Sequence, residues 1–247
     1  QGVLPKPKGE EIEDWAPVEQ TLFRAKDFGD DGDRVILRAD GSKTYFTSDI
    51  AYHVDKFNRG FHQMVDIFGA DHGGYVKRLK AALKALTNAQ ATLDIALCQV
   101  VSLQKDGKPF RMSKRAGNFV LVDDILDEID ADAFRLFMLT KSADSQMSFD
   151  LAKTKEQSKD NPVFYIQYAL ARTYSVMNTY EKTFGAKPGE KDLNMNLYAS
   201  STDTERELIQ KMLGLKHIVE VAALNKAPHL LAGYLYETAS LFHTLWT

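Results

Sequence analysis

The sequence predicts an α/β region followed by an all-helical one, and three observations carry that expectation. A buried-strand pattern, a glycine-rich turn, a strong helical pattern and a second strand pattern follow one another between Met64 and Leu103, the order of a βαβ unit. Strand-like runs vanish from about residue 151. Long helical periodicities replace them over 163–180, 205–223 and 229–246. The expected domains are therefore 1–150 and 151–247.

The first 20 residues hold three of the seven prolines and an acidic cluster at 10–14, which reads as an irregular surface connection. Val35 to Arg38 and Thr44 to Phe46 alternate like hairpin strands around an Asp40-Gly41 turn. Thr47 or Ser48 is placed to cap a helix through Phe57, with Ile50, His53, Val54 and Phe57 at helical spacing and Gly60 past its end. Met64 to Phe68 is a short apolar run of the kind found in buried parallel strands. The turn Gly69 to Gly74 leads into a helix over 75–86, and Leu93 to Leu103 is the second strand candidate.

After the turn 105–109, helices are expected from Asp123 and from Ala131. Asn161-Pro162 opens the first long helix of the second half, since proline is tolerated at the first helical position. The loop-like 184–191 segment should join two helices of a bundle.

With 44% hydrophobic residues and 26% charged, the 247-residue chain can bury a real core. No apolar run is long enough to span a bilayer, and the N-terminus has no secretion-signal core, so a cytoplasmic, non-membrane protein is expected. A net charge of −3 excludes a uniformly basic nucleic-acid glove while allowing a local patch. The single Cys98, in an apolar run, reads as a small buried side chain. No His or Cys residues stand at metal-ligand spacing, so no protein-bound metal is expected. The opening Gln1 and the uncapped helical pattern at 241–246 suggest a chain cut at both ends.

The most suggestive chemistry lies in Arg111, Met112, Ser113 and Lys114. Two cations and a hydroxyl so close together can grip a triphosphate as charge develops on it. Taken alone, such a tetrad reads as a solvated loop. Its flank, Phe110 on one side and Arg115 to Val120 on the other, makes it specific.

The segment resembles the Lys-Met-Ser-Lys-Ser loop of class I aminoacyl-tRNA synthetases, with Arg111, Lys114 and Arg115 in place of the first lysine, the second lysine and the final serine. From about Asp27 to the final helix, the chain is similar to the arginyl-tRNA synthetase family. The resemblance implies the second half of a Rossmann-type parallel-sheet catalytic domain followed by a helical-bundle anticodon-binding domain. It implies catalytic roles for Lys114, Arg111 and Ser113, with Lys114 on the ATP phosphates and Met112 beside the nucleotide.

Residues 45–57 resemble the family's arginine-binding helix, which makes Tyr45 and Asp49 candidate ligands for the substrate arginine. A guanidinium offers a fixed fork of donors, so a carboxylate beside a phenol suits it. The plainer reading is an acid favoured by the dipole in a first helical turn. Residues 69–75 resemble the family's Gly-Ala-Asp-His-His-Gly-Tyr, which places Asp71 and His72 near adenosine; Gly73 departs from that pattern. On its own residues His72 is a surface turn histidine.

Residues 160–172 resemble the opening helix of the family's anticodon-binding bundle, and Asn161, Tyr165 and Gln167 are the tRNA-binding candidates. The aromatics at 164, 165 and 168 with Arg172 can equally form a packed stripe. The family's His-Ile-Gly-His-like motif is absent. Expected partners are tRNA(Arg), ATP with Mg2+, and L-arginine, with no membrane and a monomeric protein. The 247-residue chain by itself is expected to be catalytically silent, and a non-catalytic RNA-binding module on a synthetase-like fold is the alternative.

Overall fold

The structure, a computed structural model, describes residues 1–3, 18–105, 108–109, 121–158, 160–189, 192 and 198–245. The chain divides into two compact units, residues 1–99 and 100–247.

In the first unit, β1 (Thr21–Phe23) and β2 (Arg34–Leu37) form an antiparallel ribbon. The expected partner strand at Thr44 to Phe46 is instead the start of α1 (Tyr45–Asn58). The physical reason is a pair of hydroxyls: Thr44 Oγ1 accepts from Thr47 N and donates to Val35 O, while Thr47 Oγ1 donates to Ile36 O. They cap the helix and dock its first turn on β2, leaving only a Leu37 to Lys43 bridge of the hairpin. Thr44 is therefore the N-cap, in place of Thr47 or Ser48, which the sequence suggests.

Strand β3 (Gln63–Gly69), helix α2 (Val76–Leu86) and strand β4 (Thr92–Cys98) make the predicted βαβ unit, with β3 and β4 parallel from Gln63↔Thr92 to Gly69↔Cys98. Leu79, Ala82 and Leu83 recur at helical spacing on α2 and pack with Phe46, Met64 and Leu93. Met64 and Asp66 are buried while Val65 and Ile67 are 52% and 72% exposed, so β3 alternates instead of being covered on both faces.

The second strand candidate is divided. After Gln99 and Val100 the chain starts β5 (Val101–Lys105), which belongs to the second unit and pairs antiparallel with β6 (Lys108–Pro109) and parallel with β7 (Met147–Asp150). Strand β7 was not expected from the sequence. Its four residues are too short for periodicity to register, yet Met147, Phe149 and Asp150 are buried. Phe149 meets Phe134 and Phe137 edge-on at 5.6 and 5.1 Å, closing a core with Ile125 and Ile129 beneath α3 (Val122–Leu126) and α4 (Ala131–Met138).

A short α5 (Leu151–Thr154) leads to α6 (Pro162–Phe184), α7 (Asp203–Leu213), α8 (Leu215–Asn225) and α9 (His229–Thr244). The single helix expected over 205–223 is two helices meeting at Gly214. Helix α9 is the spine of this bundle and packs against α6, α7 and α8. Its Tyr234 hydroxyl donates to Lys211 O at the end of α7.

Candidate active site

The early start of α1 puts Asp49 in the second helical turn, and the first turn carries no acidic residue. Interaction with the helix dipole fades within that first turn, so the dipole does not account for Asp49. Tyr45 lies one turn before it on the same helix face and is 88% exposed.

The Asp49 carboxylate has a fixed partner. Tyr75 Oη donates to Asp49 Oδ2 at 2.5 Å, joining α1 to the turn that follows β3. The Tyr75 ring meets Phe46 edge-on at 5.9 Å and Phe68 at 6.3 Å, and the Arg78 guanidinium stands 5.3 Å above it. Burial, reinforced by the Asp49 hydrogen bond and charge, pushes the Tyr75 phenol well above its ordinary range. It is therefore a hydrogen-bond donor at any working pH.

Beneath this pair, His53 Nδ1 lies 2.7 Å from Asp49 O and His53 Nε2 lies 2.6 Å from Asp66 Oδ2. Lys56 Nζ reaches Asp66 Oδ1 at 3.0 Å. Asp66 is a buried carboxylate within a strand, and both of its oxygens have partners, which offsets the cost of removing it from water. The network pins α1 to β3 directly under the Asp49 turn.

The glycine motif forms a 3₁₀ turn, Ala70–Tyr75, at the C-terminal end of β3. Ligands of parallel α/β sheets bind at this end of the strands. A Cβ at Gly69 would lie 2.6 Å from Asp71 Oδ1, the tip of an exposed side chain that can swing aside. Asp71 and His72 are solvent-facing, and the His72 ring lies 6.0 Å from Phe68 and 6.5 Å from Tyr75. The structure thus brings Asp49, Tyr75 and His72 into one cluster with Asp71 at its rim.

In the helical half, Asn161 is 4% exposed and its amide is fully engaged. Oδ1 accepts from Val163 N and Phe164 N, while Nδ2 donates to Thr154 O and Glu156 O. This is a helix cap with no donor or acceptor free for a base. Tyr165 is half-buried against His243 at 4.5 Å and Tyr236 at 5.3 Å, whereas Gln167 is exposed. Arg172 contacts His243 Nδ1 at 3.3 Å and the Tyr168 ring at 5.5 Å, so the aromatic stripe mainly joins α6 to α9.

Arg111, Met112, Ser113 and Lys114 lie outside the described residues. Sequence reasoning passed over Tyr75 and the His53–Asp66–Lys56 network. The one local sign of that network is a lone acid inside the apolar run 64–68; Tyr75 closes the glycine motif with no local sign of its partner. Among the described residues no group of three His, Cys, Asp or Glu side chains is placed to hold a metal, and no helix is long and apolar enough to cross a membrane.

Two family models match the chain in succession. Residues 19–160 match tRNA synthetases class I (R), catalytic domain, and residues 166–247 match the DALR anticodon binding domain. The arginine–tRNA ligase of Bartonella henselae is 50% identical over 247 residues, covering all of this chain and 42% of the relative. That of Methylorubrum extorquens is 50% identical over 252 aligned positions, covering 100% of this chain and 43% of the relative. The chain spans less than half the length of these relatives. An arginyl-tRNA synthetase structure from Campylobacter jejuni matches with a TM-score of 0.77 at 37% identity, over 91% of this chain and 48% of that one. The Thermus thermophilus arginyl-tRNA synthetase shares the fold, with a TM-score of 0.71 at 21% identity over 90% and 45%.

Proposed function

The chain belongs to the class I arginyl-tRNA synthetase family, and from that premise we propose that the complete protein activates L-arginine with ATP and transfers the arginyl group to tRNA(Arg). The observation that carries the proposal is the Asp49 carboxylate, held by Tyr75 beside the glycine turn at the C-terminal end of β3. A carboxylate beside the C-terminal end of a parallel strand supplies the charge and the acceptor that a guanidinium needs. Tyr45, on the same face of α1, is the second arginine ligand.

In the proposed reaction the arginine carboxylate attacks the α-phosphorus of ATP, forming arginyl-adenylate and releasing pyrophosphate. The tRNA terminal hydroxyl then attacks the arginyl carbonyl and AMP leaves. Asp71 and His72 border the adenosine, and Met112 packs beside it. Lys114 and Arg111 hold the phosphates and offset charge developing on the pyrophosphate, and Ser113 donates a hydrogen bond to them. Mg2+ enters with ATP as its counter-ion.

The division of labour follows the two regions of the sequence, with activation in 1–150 and tRNA recognition in 151–247. Gln167 on the open face of α6 is the residue best disposed to meet an unpaired base, with Tyr165 behind it; Asn161 supports them as the cap. We place the protein in the cytoplasm as a monomer.

The test is steady-state aminoacylation of tRNA(Arg) by the complete protein. L-arginine should be the amino acid charged, and Lys114→Ala should lower kcat by about 10²–10³ with folding intact, as expected when a group stabilising transition-state charge is removed. An unchanged rate would remove Lys114 from the mechanism. Charging of a different amino acid would overturn the proposal.

A further inference from the structure

We propose that Tyr75 is a positioning residue for arginine recognition: its hydroxyl engages Asp49 Oδ2 so that Oδ1 is presented, in one fixed orientation, to the incoming guanidinium. The proposal rests on the reading of Asp49 as the guanidinium acceptor.

An aspartate has two side-chain torsions, and an unrestrained carboxylate spreads over several rotamers. Here one contact holds the backbone that carries Asp49 and another holds its side chain. His53 Nδ1 meets the Asp49 carbonyl oxygen at 2.7 Å, and His53 is itself anchored to Asp66, so the helical turn carrying Asp49 is fixed. The Tyr75 hydroxyl at 2.5 Å then fixes the carboxylate. No other hydrogen bond to the Asp49 carboxylate is found among the described residues. The donor is rigid in turn, because the Tyr75 ring sits edge-on to Phe46 and Phe68.

The two partners come from segments 26 residues apart, one on α1 and one on the turn after β3, so the bond also couples the amino-acid side of the site to its nucleotide side. The chemistry of the donor matters as well. The phenol stays neutral because burial and the Asp49 charge both oppose its ionisation. It therefore never competes as an anion for the substrate cation. An oriented acceptor favours the planar, directional guanidinium over an ammonium, which is a point charge with freely rotating donors.

The experiment is steady-state aminoacylation by the complete protein carrying Tyr75→Phe, Asp49→Asn, or both. The phenylalanine keeps the ring contacts and removes only the hydroxyl. Tyr75→Phe should raise the KM for arginine about tenfold, the cost of ordering on binding a side chain that is no longer held in one orientation. It should leave the KM for ATP unchanged, while the Tm falls by the few degrees expected for one lost hydrogen bond to a carboxylate. Asp49→Asn should raise the arginine KM further, and adding Tyr75→Phe to it should cost nothing more, because the group being oriented is gone.

An Asp49→Asn enzyme with normal arginine KM would overturn the guanidinium reading and this proposal with it. A raised KM in Asp49→Asn beside a normal one in Tyr75→Phe would overturn the role of Tyr75 alone. A Tyr75→Phe enzyme in which the KM values for arginine and ATP rise together would reduce Tyr75 to a packing residue and overturn the proposal equally.

Discussion

Asn161 illustrates how one side chain can be conspicuous in sequence for a reason other than recognition. Its amide closes four backbone hydrogen bonds between the end of α5 and the start of α6, and it is almost fully buried. Asn161→Ala should therefore lower stability by about 2–3 kcal/mol, a lost cap plus carbonyls left without donors. Urea unfolding monitored by far-UV circular dichroism checks this. Asn161→Asp keeps the Oδ1 cap but sets a carboxylate oxygen against the Thr154 and Glu156 carbonyls, so it should cost at least as much; a smaller loss would show that the cap outweighs the Nδ2 bonds. Asp49 makes the opposite point. Its sequence position suggests a dipole-favoured acid, and only the partner across 26 residues marks it as a presented carboxylate. Tyr75 was legible as a motif residue but not as a donor, because a hydroxyl's partner is set by which elements fold against it.

At the scale of elements, the first unit is joined by polar contacts as well as by its core. Asp30 is 8% exposed and accepts from Arg34 Nε at 2.6 Å and Nη2 at 2.7 Å, a fork that fixes the loop before β2. The Arg34 hydrogen bond holds the Asp30 carboxyl below its ordinary range. A depressed folded-state value means that the unfolded chain takes up the proton first. The stabilisation is thus complete above the ordinary aspartate range near 3.8 and is lost as pH falls through the lower folded value. Asp30→Asn should cost about 2 kcal/mol at neutral pH, in line with hydrogen bonds to charged groups. The deficit should shrink in acid, and thermal melts at pH 7 and pH 3 check both statements. A deficit independent of pH would show that charge is not its origin. The early start of α1 belongs to this scale too: Thr44 and Thr47 choose between strand and helix according to whether β2 is there to accept their hydroxyls.

For the whole molecule, each unit has its own apolar centre. Phe149 is wholly buried on β7 between Phe134 and Phe137, and it joins the β5–β7 pair to α4. Phe149→Ala should cost about 3–5 kcal/mol, the usual penalty for emptying an aromatic site. Amide hydrogen exchange would locate the loss: protection across β5 and β7 should fall together, since one opening exposes both strands. Protection unchanged in β5 would detach that strand from the Phe149 core. The centre of the helical bundle differs in kind, being built from small side chains such as Ala169, Ala222, Ala232 and Ala239 with Tyr234 and His243 among them.

The sequence by itself determined the passage from an α/β region to a helical one, the parallel βαβ unit, the capped start of α6 at Asn161-Pro162 and the resemblance to the arginyl-tRNA synthetase family. All of these are local patterns: periodicity, turn chemistry and short motifs are written in neighbouring residues. Tertiary structure decided the rest. It split 93–103 into strands of two units, revealed β7 as the partner of β5, moved the cap of α1 to Thr44, and joined Asp49 to Tyr75 above His53 and Asp66. The reason is that strand pairing and side-chain partnership depend on contacts between distant segments. A four-residue strand or a single phenol carries too little local signal to announce its partner.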